Sequence, residues 1–157
     1  MKFQLGDVVR DKLTNVEGRV TQYIKHIYSQ DRVNIQPSYN EKDMRMPACH
    51  HIDVTGVEKI GDSNLDSLPQ YRDSDKVSLG DKVSYPLNGM SGNVIQRALN
   101  VNGCYSLEIS FKAKDDGLPR TMWVEEKGIN VLERVGESEV NPPDRKTGSF
   151  MTTIESE

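Results

Sequence analysis

The sequence predicts an all-β protein built as two tandem small barrels followed by an extended C-terminal arm. Three observations carry that prediction: a duplicated motif, apolar residues alternating at strand period, and turn residues between the alternating runs. Leu5-Gly6-Asp7-Val8-Val9, then Gly18-Arg19-Val20, returns as Leu79-Gly80-Asp81-Lys82-Val83, then Gly92-Asn93-Val94. The offset is constant, since 80 − 6, 83 − 9 and 94 − 20 all give 74, and it carries Val33 and Ile35 onto Leu107 and Ile109. A repeat at fixed offset marks one supersecondary unit used twice. Further along, Glu58-Lys59-Ile60-Gly61 matches Glu133-Arg134-Val135-Gly136 at an offset of 136 − 61 = 75, which predicts one extra residue in a loop of the second copy.

Within each copy the pattern reads as strands. Val16, Gly18, Val20 and Ile24 interleave with Glu17, Arg19 and Thr21, while Arg32–Gln36 and Tyr105–Phe111 alternate cleanly, as half-buried strands do. Leu13-Thr14-Asn15, Leu87-Asn88-Gly89, Asn102-Gly103 and Asp115–Pro119 supply turns. Asn102-Gly103 predicts a type I′ hairpin turn, which needs positive φ at both central residues. Gly18 and Gly92, inside strand patterns, predict bulges or sharp bends. Short strands, tight turns and a mid-strand glycine describe a five-stranded barrel in each copy. Val9, Val20 and Ile35, with Val83, Val94 and Ile109, are its expected core.

The 157 residues therefore divide into a first barrel (1–60), a linker (61–76), a second barrel (77–136) and the arm (137–157). Units of about 60 residues bury marginal area alone, so each should lean on its sister or a partner. Leu65, Leu68 and Tyr71, at helix-like spacing, are expected to pin the linker onto a barrel. The arm is polar, with Asn141-Pro142-Pro143 blocking regular structure. It should be disordered alone and ordered on a neighbour, with Phe150, Met151 and Ile154 as anchors. A net charge of −4 argues against a surface that tracks phosphate everywhere. No apolar run is long enough to span a bilayer, no membrane partner is expected, and Met1–Leu5 shows no signal-peptide core. Two cysteines, Cys49 and Cys104, at non-equivalent positions make a weak disulfide framework.

The pattern Leu-Gly-Asp-x-Val, a turn, then Gly-x-Val resembles the opening hairpin of SH3-like barrels, including KOW-type modules. The second copy is similar to small proteins of tailed bacteriophages and prophages, through Leu79–Val83, Gly92-Asn93-Val94, Asn102-Gly103-Cys104 and Trp123-Val124-Glu125-Glu126. In the first copy Cys49-His50-His51 stands where that pattern has Trp123-Val124-Glu125. The resemblance implies a non-enzymatic structural protein carried in the virion. Its partners would be phage capsid or tail proteins in a symmetric assembly, as for a head decoration or a tail- or neck-associated component, and it carries over no catalytic residues or cofactors.

The residues admit other chemistries. Cys49, His51 and Asp53 share one strand face and His26 could complete a tetrahedral set, but no paired Cys-x-x-Cys supports zinc, so no metal site is assigned. No carboxylate stands isolated among apolar residues and no nucleophile has a positioned base, so no enzyme is expected. Asp7 and Asp81 are expected to bond backbone amides of the first turn. The rival function is a KOW-like module binding nucleic acid or a host regulator, with Arg10, Arg19, Tyr23, Lys25 and Arg32 contacting phosphate and stacking on bases. A third, a sponge for a small nucleotide, would need a pocket between the barrels lined by Arg and Tyr. Trp123 is expected to fill the second barrel, with an interface anchor as the functional alternative.

Overall fold

The computed structural model describes residues 3–39, 42, 48–65 and 68–135. The chain is all-β. The first copy contributes β1 (Val8–Asp11), β2 (Glu17–His26), β3 (Arg32–Pro37), β4 (His50–Asp53) and β5 (Val57–Gly61), with a 3-10 turn at Val54–Gly56. The second contributes β6 (Lys82–Tyr85), β7 (Met90–Asn100), β8 (Tyr105–Lys112), β9 (Pro119–Glu125) and β10 (Asn130–Glu133), with a 3-10 turn at Glu126–Gly128. The ten strands form one curled antiparallel sheet in the order β10-β6-β7-β2-β1-β5; β3 and β4 branch from β2, and β8 and β9 from β7.

The duplicated motif performs the same local task twice. Gly6 and Gly80 adopt φ of +90° and +94°, and their amides donate to the carbonyls of Val20 and Val94. Only glycine takes that conformation freely, and a β-carbon on Gly6 would also stand 2.3 Å from Ser63 Oγ. Asp7 and Asp81, each 1% exposed, then close the repeat on itself. Asp7 accepts from the amides of Gln4 (2.9 Å) and Ser63 (3.0 Å). Asp81 accepts from those of Ser78 (2.8 Å) and Val135 (2.9 Å). The expected bond to the first turn is present in both copies. The second bond reaches the far end of the unit, beyond the first turn that the sequence predicts.

That second bond exposes a correction to the alignment. Ser63 and Val135 differ by 72, as do Ile52 and Val124, which pair with the equivalent residues Val33 and Leu107. Lys59 and Val131, opposite Val9 and Val83, also differ by 72. The second copy is thus two residues shorter than the first between β3/β8 and β4/β9, not one longer. Glu58-Lys59-Ile60-Gly61 and Glu133-Arg134-Val135-Gly136 are a chance likeness. The ladder also puts Trp123, rather than Glu125, at the position of His51, because they face Glu108 and Asn34.

Two further expectations change. Gly18 and Gly92 are sites of close approach, where a β-carbon would lie 2.4 Å from the Gln36 carbonyl oxygen and 2.3 Å from that of Ser110. The bulges fall three residues later, at Thr21 and Ile95, and again at Ile60 and Leu132. They bend the strands so that each copy curls around its core. At Asn102-Gly103 only the glycine has positive φ (+86°), so the turn is not type I′. The Gly103 amide donates to the Asn100 carbonyl, and Asn102 Oδ1 accepts from the Cys104 amide.

The predicted core residues Val9, Val20, Ile35, Val83, Val94 and Ile109 are all buried. The first core gathers Phe3, Leu5, Val9, Val20, Tyr23, Val33, Ile35 and Val57, and it takes in Leu99 from β7 of the other copy. The second gathers Val77, Val83, Val94, Leu107, Ile109, Val124 and Ile129. Trp123 is not among them: it is 44% exposed, with Met122 and Val124 turned inward on either side. Its expected place in the core goes instead to Val124, because the strand alternates and only one phase can face inside.

β2 and β7 join the copies through five antiparallel pairs, and the register is symmetric. Ile24 faces Ala98, its own equivalent at offset 74. The flanking pairs map onto each other: Gln22–Asn100 onto Gln96–His26, and Tyr23–Leu99 onto Arg97–Lys25. A pseudo-two-fold axis therefore passes through the Ile24–Ala98 pair, and the junction has the form of an isologous dimer interface within one chain. Val20, 1% exposed, lies in the core beside this junction. Val20→Asp should cost about 3 kcal/mol or more, lowering the melting temperature by roughly 6–12 °C in thermal denaturation; unchanged melting would contradict the core assignment.

Candidate functional site

The pseudo-axis is where the chain brings together the side chains that sequence spacing alone does not connect. Paired residues of adjacent strands share a face, so Tyr23 and Lys25 of β2 lie on the same side of the sheet as Leu99 and Arg97 of β7. The linker crosses this face. Leu68 and Tyr71 pack on the first core, as expected, but residues 68–74 form no helix, and Leu65 stays 48% exposed. The Tyr71 ring stands 5.6 Å from Tyr23 and meets Tyr105 edge-on at 5.5 Å. The Lys25 ammonium sits 5.1 Å from the Tyr71 centroid.

Arg97 anchors the cluster. It is 5% exposed, its Nε donates to Glu126 Oε1 (2.5 Å), and one terminal nitrogen donates to the carbonyl of Arg72 (2.6 Å). The guanidinium lies 3.7 Å from the Tyr105 centroid and 5.1 Å from that of Tyr71. Burial alone would weaken its charge, but Glu126 and Tyr71 outweigh it and hold the guanidinium above its ordinary pKa. Burial raises Tyr71 as well, against the opposing pull of Arg97. A buried charge is tolerable only when its donors are satisfied, and here a carboxylate, a carbonyl and two rings do so. Sequence reasoning missed Arg97. Its signal was a lone cation inside the apolar run Val94–Leu99, at the position where the first copy has Tyr23.

Beside the cluster lies an open groove of about 550 Å³, lined by Leu68, Pro69, Gln70, Arg72, Leu99 and Tyr105 among others. It has the Arg and Tyr that a nucleotide sponge would need. However, the face of Tyr105 is taken by Arg97, and its hydroxyl accepts from the Arg72 amide (2.8 Å).

The cations and aromatics of the nucleic-acid reading are engaged within the fold. Tyr23 is 2% exposed and its hydroxyl donates to Asp31 (2.5 Å), so it offers no face to a base, which corrects its assignment as a stacking residue. Arg10 pairs with Glu58 (2.6 Å) and Glu17 (3.4 Å), and Arg32 with Asp53 (2.8 Å). Arg19 donates to the Gly6 carbonyl (2.7 Å), and Lys25 is held over Tyr71.

The metal-type residues are also separated. Cys49 Sγ donates to Gln36 Oε1 (2.7 Å), Asp53 faces Arg32, and His26 Nδ1 accepts from the Tyr28 amide (3.0 Å). Among the described residues no three His, Cys, Asp or Glu side chains are grouped to hold an ion. Trp123 stands outward on β9 opposite Glu108. Phe150, Met151 and Ile154 lie outside the described residues.

No family model, curated protein or solved structure matches the chain.

Two outcomes test this geometry. Tyr71→Ala removes the ring that bridges both copies and should destabilise by about 2–3 kcal/mol, read as a shift in urea midpoint with little change in slope. The second concerns alkali. Burial first, then the bond to Asp31, raises the Tyr23 phenol well above its usual value of 10.0. A raised folded-state pKa stabilises fully below the unfolded value and loses that contribution as pH climbs past it. Melting temperature should therefore fall above about pH 10, and fall less steeply in Tyr23→Phe; identical alkaline slopes would contradict the assignment.

Proposed function

We propose that the chain is a pair of fused SH3-like barrels acting as a non-enzymatic bacteriophage structural protein that docks on virion subunits. A head decoration or a tail- or neck-associated component is the role in view. The observation that carries the reading is the welded pseudo-two-fold body. The ionisable side chains buried among the described residues are committed to holding the fold, as at Asp7, Asp81 and Arg97 with Glu126, while Trp123 stands outward on its strand. Such a body offers shape and a few anchors. Exposed tryptophan on a rigid element is the kind of side chain that dominates interface energetics. Each copy has five strands with a 3-10 turn between the fourth and fifth, which supports the barrel reading.

The arm, residues 137–157, supplies the second point of attachment in this proposal, through Phe150, Met151 and Ile154. A weak second contact on a short tether acts at high effective concentration and so multiplies affinity. The alternative, a KOW-like module for nucleic acid, loses support from the burial of Tyr23 and the pairing of Arg10 and Arg32.

Mass spectrometry of gradient-purified particles should find the chain at a stoichiometry matching a symmetric site. Truncation after residue 136 should leave melting within about 2 °C, since it removes no described core residue, and should lower particle binding tenfold or more. Recovery of the chain only in the particle-free lysate would overturn the reading, and undiminished binding by the truncated chain would remove the arm from it.

A further inference from the structure

Around the β1–β2 and β6–β7 hairpins the outward positions have diverged between the two copies. Val8 is replaced by Lys82, Arg10 by Ser84, Lys12 by Pro86, Glu17 by Ser91 and Arg19 by Asn93. Leucine is nevertheless kept at Leu13 and Leu87, which are 89% and 82% exposed. Single exposed leucines are common and carry no message. A leucine held twice at equivalent positions, while the residues around it change, is a different observation, because burial cannot account for it in either copy.

Both leucines ride on preformed turns. In the first, the Leu13 amide and Thr14 hydroxyl donate to the two oxygens of Asp11 (3.0 and 2.6 Å). Asn15, at φ +62°, returns its amide to the Asp11 carbonyl. The second has Tyr85 in place of Asp11. There the amides of Asn88 and Gly89 donate to the Tyr85 carbonyl, Gly89 takes φ +75°, and Asn88 Oδ1 accepts from the Met90 amide. The same closing bond, from Asn15 to Asp11 and from Gly89 to Tyr85, thus forms both turns under different side-chain support, each with a leucine at its tip. A side chain presented by an ordered turn binds with little further ordering cost.

The pseudo-axis sets where the tips stand. β2 and β7 run antiparallel through it, so the β1–β2 and β6–β7 turns lie at opposite ends of the sheet. Each strand runs seven residues from the axis toward its turn, from Ile24 back to Glu17 or from Ala98 back to Ser91 (24 − 17 = 98 − 91 = 7), and the leucine lies beyond that on the turn. At about 3.3 Å per residue those two points are at most roughly 46 Å apart, less the curl, and the leucines lie beyond them on the turns.

We propose that Leu13 and Leu87 form one bivalent docking device that seats in equal apolar pockets on two identical partner subunits related by a two-fold axis. The inference rests on the virion-binding reading and specifies its contact. A partner with a single pocket would engage one leucine and leave the other without purpose. A two-fold pair engages both at once, since two-fold surfaces meet equivalent patches on either side, and the second contact then forms at the effective concentration set by the rigid sheet.

The test uses purified particles made from a genome in which this reading frame is interrupted, with the full-length chain added back. Wild type, Leu13→Ser, Leu87→Ser, the double variant and a control, Leu118→Ser, are compared by co-sedimentation. Leu118 is 59% exposed on the β8–β9 loop. All five should melt alike, because the changed side chains lie in solvent. Each prong variant should bind about tenfold or more weakly, and to a similar extent. The double variant should lose detectable binding, and the control should match wild type. Binding of the double variant at wild-type strength would overturn the device. Loss with one single variant and none with the other would overturn its bivalency. If the wild-type chain does not bind these particles, the virion-binding reading itself fails, and the inference with it.

Discussion

The pairing of β2 with β7 is the interaction on which the rest of the molecule depends. Each copy is about the size at which a single core barely offsets its conformational entropy. The five-pair ladder ties the two copies into one sheet, and the first core takes in Leu99 and packs against Tyr105 from the second copy. The same ladder puts Tyr23, Lys25, Arg97 and Leu99 on one face and so creates the surface that Tyr71 covers. The backbone is symmetric about Ile24 and Ala98, but one linker cannot cover both halves of a two-fold face equally. The side chains differ accordingly: Tyr23 where the second copy has Arg97, and Lys25 where it has Leu99.

The Leu-Gly-Asp motif shows the opposite behaviour, sameness enforced by local geometry. A glycine at positive φ turns the chain, and a buried carboxylate then accepts two backbone amides from the two ends of the unit. Burying that charge is costly unless its lone pairs are satisfied, so motif, turn and closing bond form one block. This block is why Asp7 and Asp81 are retained while the surface around them changes.

Much of the fold was legible in the sequence, because a constant offset and strand-period alternation leave few architectures. The inward residues Val9, Val20, Ile35 and their equivalents follow from alternation alone. What failed were statements that depend on register. The 75-residue match near Glu133 looked convincing as letters, but only the ladder and the Asp81–Val135 bond fix the offset at 72. Trp123, flanked by Met122 and Val124, reads as a filler of the second barrel, whereas the phase of β9 turns Val124 inward. Of the site, linker docking through Leu68 and Tyr71 was legible as apolar residues in a polar stretch. Arg97 with Glu126 was not, since the two are joined by the fold and 29 residues apart in sequence. The cations of the first copy were legible as cations but not as ion pairs, because their acidic partners come from other strands.

Covalent duplication also explains how the junction tolerates a buried arginine. In a homodimer with the same interface, whatever occupies position 97 would appear twice on one face close to the axis. Two guanidinium groups there would repel and would need two carboxylates and two covering rings. Fusion lets the second position become Tyr23, which is neutral and contributes to the first core, so one Glu126 and one linker suffice. Fusion also makes the interface independent of concentration, since the two halves cannot dilute away from each other. The asymmetry at the centre is therefore a consequence of joining the copies, and it leaves the distal turns free to stay alike.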